Sequence, residues 1–168
     1  KILKFGGTSV GSAQRIKGLL DIVNPAERQI VVLSAVAGTT NALVEIGQAF
    51  LAGKREEAIE LVKQHKNKYE YLIKELFSTE QGLDKGKNLI DYHFNYIASL
   101  GNEMFTPVEE KITLAQGELL STTLFHFHLE EIGVPSVLLP ALDFMKIDED
   151  NEPMVEYIGE KLKNLLSI

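Results

Sequence analysis

The first dozen residues, KILKFGGTSVGS, constrain this chain's fold more than any other stretch. Residues 1–5 read as a short buried strand, Gly6, Gly7, Thr8 and Ser9 follow without a gap, and helical periodicity resumes from about Ser12, a suitable N-cap. A strand that runs through glycines into a helix N-terminus cradles phosphate well. The backbone can approach the ligand closely, and the helix's first N–H groups point at it unpaired. Lys4 adds a positive charge near the carboxyl end of the strand, where open α/β sheets bind ligands. An ordinary strand–turn–helix with Lys4 in water satisfies the same residues, so both readings stay open here. Gly6 and Gly11 have the spacing of G-x-x-x-x-G-K-[ST], but Ser12 stands at the lysine position, which excludes a Walker loop. The G-x-G-x-x-G fingerprint is excluded too, because Gly6 and Gly7 are adjacent.

Ile16, Leu19, Leu20 and Val23 recur at helical spacing and predict a helix that ends at Asn24-Pro25. Residues 30–33 form a second all-apolar run, predicted to be a strand buried on both faces as in a parallel sheet. Strand, helix and strand make a right-handed βαβ unit. Residues 34–41, SAVAGTTN, then repeat the first pattern: a loop of small residues at a strand's carboxyl end, close to a helix start. Two such loops side by side would line one crevice with hydroxyls and N–H groups. A capped turn explains the residues equally, with Thr40 or Asn41 as N-cap and Gly38 for its freedom in φ.

Residues from about 41 to 106 read as helical. One stripe comprises Ala58, Val62, His65, Tyr69, Leu72 and Leu76; a second comprises Ile90, Phe94, Ile97, Leu100 and Met104. Ser78, Thr79 and Gly82 separate the two, which predicts an antiparallel helical hairpin, an excursion from the sheet domain. His65 and His93 have no ligand partner at helical spacing, and His126 and His128, two apart, cannot share a helix face. Thr106-Pro107 predicts a helix start and Gly133 its end. Inside that helix lies Gln116-Gly117-Glu118-Leu119-Leu120-Ser121. Gly117 costs about 1 kcal/mol relative to alanine and so asks for a packing or access reason. Glu118 and Ser121, three apart, share a face, where a carboxylate suits an ammonium or a cation; an exposed glutamate in a long helix fits the same residues. Residues 135–139 predict a third strand, residues 148–152 an acidic flexible stretch, and residues 155–166 a final amphipathic helix. An α/β pattern that closes on a helix is expected to continue into another strand, so the sequence reads as part of a longer one.

The 168 residues, 45% hydrophobic and 24% charged, fit one globular domain. A net charge of −7 disfavours nucleic acid or an anionic membrane as the main partner, without excluding a local anion site. The absence of cysteine excludes disulfides and thiolate zinc sites. No apolar run is long enough to span a bilayer and no signal-peptide pattern opens the chain, so a cytoplasmic protein is expected.

Three stretches taken together resemble the aspartokinases: Lys4-Phe5-Gly6-Gly7-Thr8-Ser9-Val10, then Val31-Val32-Leu33-Ser34-Ala35 with Gly38, Thr40 and Asn41, then Gly117-Glu118-Leu119-Leu120-Ser121. The resemblance covers the whole chain. It implies a three-layer α/β/α sandwich around a mainly parallel sheet, of the amino-acid-kinase kind, here incomplete. It also implies ATP-dependent phosphorylation, with Mg²⁺, of the L-aspartate side-chain carboxylate. By that resemblance Lys4 is catalytic and, with Gly6, Gly7, Thr8 and Ser9, holds ATP phosphates; Ser34, Thr40 and Glu118 hold aspartate, Glu118 taking its α-ammonium. A homo-oligomeric parent is implied, and no protein-held metal. The family's later GRGGSD motif and regulatory ACT domains are missing, so residues 1–168 alone are expected to have little activity. A non-catalytic binding protein of the same fold and a related kinase with another substrate are the alternatives.

Overall fold

The computed structural model describes residues 1–166. Strand β1 (Ile2–Phe5) runs parallel to β2 (Ile30–Leu33), with Lys4 opposite Val32 and Phe5 opposite Leu33. Between them lies α1 (Ala13–Gly18), capped by the Ser12 side chain, which accepts from the Arg15 N–H. This helix is shorter than its periodicity predicted. It gives way after Gly18 to a 3₁₀ turn over Leu19–Asp21, yet Leu19 and Val23 still reach the core.

Four longer helices follow: α2 (Thr39–Leu51), α3 (Arg55–Leu76), α4 (Glu80–Leu100) and α5 (Pro107–Glu131). The six stripe residues of α3 are all buried, as their spacing predicts. In α4, Ile90, Phe94 and Ile97 are buried, but Leu100 is only half-buried and Met104 is 83% exposed. The helix has stopped at Gly101 by then, so Met104 has left the helical register. Helix α3 packs on both α2 and α4, α5 packs on the same two, and α1 rests on α3. The α3–α4 turn is tied to the far end of α5. There the Glu131 carboxylate accepts from the N–H groups of Ser78 (2.9 Å) and Thr79 (2.8 Å) and from the Thr79 hydroxyl (2.7 Å). Thr106 and Glu109 form a full capping box at the start of α5.

The sheet departs from expectation in two ways. Both strands alternate in burial, with Leu3, Phe5, Val31 and Leu33 against the helices and Ile2, Lys4, Ile30 and Val32 exposed. Burial on both faces is therefore not observed, because among the described residues helices cover only one face. Residues 134–140 form no third strand, and the described sheet has two strands. Pro135 and Pro140 offer no N–H to a ladder, and Val137 is 77% exposed.

The chain divides into two compact units, Lys1–Ser136 and Val137–Ile168. The first holds both strands and α1 to α5. In the second, the acidic stretch is an ordered turn, where a flexible one was expected. The Asp148 carboxylate accepts the N–H groups of Asp150 and Glu152, both at 2.9 Å, and Asn151 takes a left-handed φ of 64°. Helix α6 (Val155–Leu166) has the predicted bounds.

Three histidines are interior. His93 shares a 2.6 Å hydrogen bond with the Gln116 carbonyl oxygen, whereas neither ring nitrogen of His65 or His128 has a hydrogen-bond partner among the described residues. His65 stands edge-on to Tyr69 and Phe94, and burial lowers its pKa from 6.5 to about 4, with Lys68 adding to the effect. Burial lowers His93 and His128 as well. Between pH 6.5 and pH 4 the unfolded chain then carries a proton at His65 that the folded chain refuses, so stability present at neutral pH is lost on acidification. The urea midpoint is expected to fall between pH 7 and pH 5, His65 alone accounting for about 2 kcal/mol. A His65→Leu variant should flatten that dependence; an identical slope in the variant would remove His65 as its source.

Candidate functional site

The two loops at the carboxyl ends of β1 and β2 lie against each other, and α5 closes on them from the side. Gly7 is one reason for the first contact. A Cβ there would stand 3.0 Å from the Ala35 carbonyl oxygen, and one on Gly11 would stand 3.0 Å from the Ala37 Cβ. Gly117 explains the second. A Cβ at this mid-helix glycine would lie 2.9 Å from the Ala35 Cβ, 3.2 Å from Thr39 Cγ2 and 3.3 Å from Leu43 Cδ1. The glycine that costs α5 local stability is thus what lets the helix reach the loop.

Polar contacts finish the join. Ser121 Oγ donates to the Ser34 carbonyl at 2.8 Å, and the Ala35 N–H donates to Glu118 Oε1 over a longer 3.4 Å. Glu118 remains exposed. Ala35, itself buried, is touched by the glycine loop, by Gly117 and by Glu118. Its predicted neighbour Ser34 is half-buried and already engaged through its carbonyl.

Several donors at this corner are left over. The N–H groups of Gly6, Gly7 and Thr8 meet no partner among the described residues, while Ser9 donates its own to the Gly6 carbonyl at 2.9 Å. Helix α2 opens at Thr39, one residue before the expected cap. Gly38 is the N-cap with φ of 80°, a left-handed value that favours glycine, and it has no side chain to cap with. The N–H groups of Thr40 and Asn41 therefore also lack partners among the described residues, and they form the positive end of the α2 dipole. Thr40 is exposed beside them. Lys4 projects from the exposed face of β1 and makes no hydrogen bond or ion pair among the described residues. Its ammonium and the Glu118 carboxylate sit on elements at different faces of the sheet and do not touch. Two clefts, about 310 Å³ near Glu45 and Glu57 and about 420 Å³ near Lys17 and Glu75, are lined by none of these residues.

Two features escaped the sequence reading. Arg15, on the exposed side of α1, donates to the Thr8 carbonyl at 2.6 Å and braces the glycine loop with a second cation. Thr39 is fully buried and bonded to Tyr69, a contact between helices that no local pattern announces.

The sequence profile described as "Amino acid kinase family" matches residues 1–167. The chain belongs to that family. Its likenesses within the family run to aspartokinases. An aspartokinase of Chlamydia trachomatis is 37% identical over 166 residues, which is 95% of this chain and 36% of that protein. The chloroplastic aspartokinase 2 of Arabidopsis thaliana is 33% identical over 142 residues, 79% of this chain and 25% of that one. The crystal structure of E. coli aspartokinase III in complex with aspartate and ADP superposes with a TM-score of 0.76 at 26% identity, over 98% of this chain and 37% of that one. This amino-acid-kinase chain thus has the predicted α/β fold class, and it spans between a quarter and little more than a third of those three relatives. No helix among the described residues is long and apolar enough to cross a membrane.

Proposed function

We propose that these residues supply the phosphate loop and the acceptor site of an aspartate kinase, which transfers the γ-phosphoryl group of ATP to the side-chain carboxylate of L-aspartate. The product is 4-phospho-L-aspartate, at the entry to lysine, threonine and methionine synthesis. The observation that carries this reading is the packing of the glycine loop and α5 against Ala35 in the loop after β2, which leaves unpaired N–H groups of both loops and the exposed Glu118 carboxylate at one corner.

Lys4, the N–H groups of Gly6, Gly7 and Thr8, and the Ser9 hydroxyl hold the phosphates; Ser34, Thr40 and Glu118 hold aspartate, Glu118 receiving its α-ammonium. Two carboxylates and a triphosphate repel one another, so the chemistry depends on positioning and charge neutralisation. A carboxylate oxygen attacks the γ-phosphorus, the bond to the β-phosphate oxygen breaks, and ADP leaves. The acceptor is ionised at neutral pH, and no general base is required. In this reading Mg²⁺ enters as the ATP complex and neutralises phosphate charge. In this reading residues 1–168 are the N-terminal part of one kinase domain, with residues 41–106 a helical excursion and no ACT domain among them. The parent protein is a cytoplasmic homo-oligomer.

Aspartate-dependent ADP release with Mg-ATP tests the reading, on the full-length gene product beside residues 1–168. Activity is expected in the former and little in the latter, consistent with the chain's coverage of 36–37% of two of its relatives. Turnover of glutamate, acetylglutamate or UMP in place of aspartate would make it a related kinase. Inertness toward all of them would make it a binding protein.

A further inference from the structure

Thr39 and Tyr69, 1% and 2% exposed, share a hydrogen bond of 3.0 Å between α2 and α3. The Tyr69 ring is fixed by packing, with Phe94 at 5.5 Å and His65 at 5.4 Å, both edge-on, so its hydroxyl has little freedom to point elsewhere. Thr39 is held from a second side, since its methyl group is the one a Cβ on Gly117 would meet at 3.2 Å. Gly38 caps α2 without a side chain, so the helix start is held locally only by backbone bonds, from the Thr39 N–H to the Val36 carbonyl (2.9 Å) and from the Ala42 N–H to the Gly38 carbonyl (3.2 Å); the one side-chain fastening comes from a residue 30 positions away. Thr40, the next residue after Thr39, and the Ala35 N–H both belong to the corner described above.

We propose that Tyr69 is a positioning residue for the acceptor: through the Thr39 hydroxyl it sets the start of α2, and with it Thr40 and the loop before it, in the geometry that binds an amino dicarboxylate. The inference rests on the reading of this corner as the aspartate site. It also gives the helical excursion a task, since α3 and α4 form the platform that holds the Tyr69 ring. Burial pushes the Tyr69 phenol well above its usual pKa, and the Glu118 charge acts in the same direction, so the hydroxyl keeps its proton.

Tyr69→Phe removes the hydroxyl and keeps the ring. In the full-length gene product this change is expected to raise the KM for aspartate about fivefold to tenfold, the scale of one buried hydrogen bond, with the KM for ATP within about twofold. Thr39→Val should reproduce the effect, the double variant should be no worse than either single one, and Thr39→Ser should restore binding. Amide hydrogen exchange gives a readout independent of turnover. The bonded amides of Ala35, Thr39 and Ala42 should exchange about fivefold to tenfold faster in Tyr69→Phe, with the amides of α3 and α4 unchanged. An unaltered aspartate KM, or a rise shared equally by ATP, would overturn the proposal, as would exchange that quickens throughout α3 and α4. If the unaltered enzyme fails to phosphorylate aspartate, the acceptor reading itself falls. The exchange data then still decide whether Tyr69 holds the loop.

Discussion

Replacing Lys4 with alanine is expected to slow phosphoryl transfer about 10²- to 10³-fold while changing folding stability by no more than about 0.5 kcal/mol. The two halves of that expectation have separate origins. Lys4 is exposed on β1 and has no partner among the described residues, so its removal breaks no contact and opens no cavity. In the proposed reading its charge acts at the phosphates beside the glycine loop, and a positioned donor in such a place is worth several kcal/mol in the transition state. On that reading the KM for ATP should move less than kcat, because the loop N–H groups would still hold the nucleotide. Steady-state kinetics and urea unfolding on the full-length gene product measure both quantities. An alanine variant with undiminished turnover would remove Lys4 from the chemistry.

The second large effect is expected at Gly117. In Gly117→Ala the helix gains about 1 kcal/mol in propensity, but the new methyl must displace Ala35, whose own Cβ would be only 2.9 Å away. Overpacking of this kind costs about 1–3 kcal/mol, so the net change in stability should be small. The damage falls on function, since moving Ala35 stretches the contact from its N–H to Glu118 and disturbs its packing on Gly7. We expect the aspartate KM to rise about tenfold or more, equivalent to about 1.4 kcal/mol of lost binding. Gly117→Val directs further methyl groups at Thr39 and Leu43 and should destabilise the fold by about 3 kcal/mol. A valine variant with unchanged urea midpoint and aspartate KM would show that α5 does not need to approach the loop this closely.

Much of this arrangement was legible in the sequence, for physical reasons that differ from place to place. The two strands declared themselves by apolar runs that end in small residues, and the Ser12 and Thr106 caps by side-chain chemistry one turn long. The unusual cost of Gly117 flagged a close approach before its partner was known. What stayed hidden was set by neighbours and not by local preference. Ile30 and Val32 look like the interior of a sheet, yet their exposure depends on what lies across the sheet from the helices. The apolar character of residues 135–139 suggested a strand, but strand formation needs a partner that residues flanked by prolines did not find. The start of α2 was placed late because Thr40 and Asn41 have capping side chains, whereas a left-handed Gly38 does the work. The Thr39–Tyr69 bond is a tertiary contact, outside any local pattern.

The joins to Ala35 and Ser34 span 83 and 87 residues of chain, and that separation has a consequence for the order in which the molecule is built. The βαβ unit and the α3–α4 hairpin can form from contacts between sequence neighbours. The loop after β2 cannot take its final shape until α5 exists and has docked, and closing so long an interval carries an entropic cost that nearby contacts do not repay. During synthesis, residues 34–40 leave the ribosome well before Glu118 has been added. The corner proposed to bind the substrates is therefore among the last parts of these residues to mature, and slow docking of α5 would delay its completion beyond the appearance of helix.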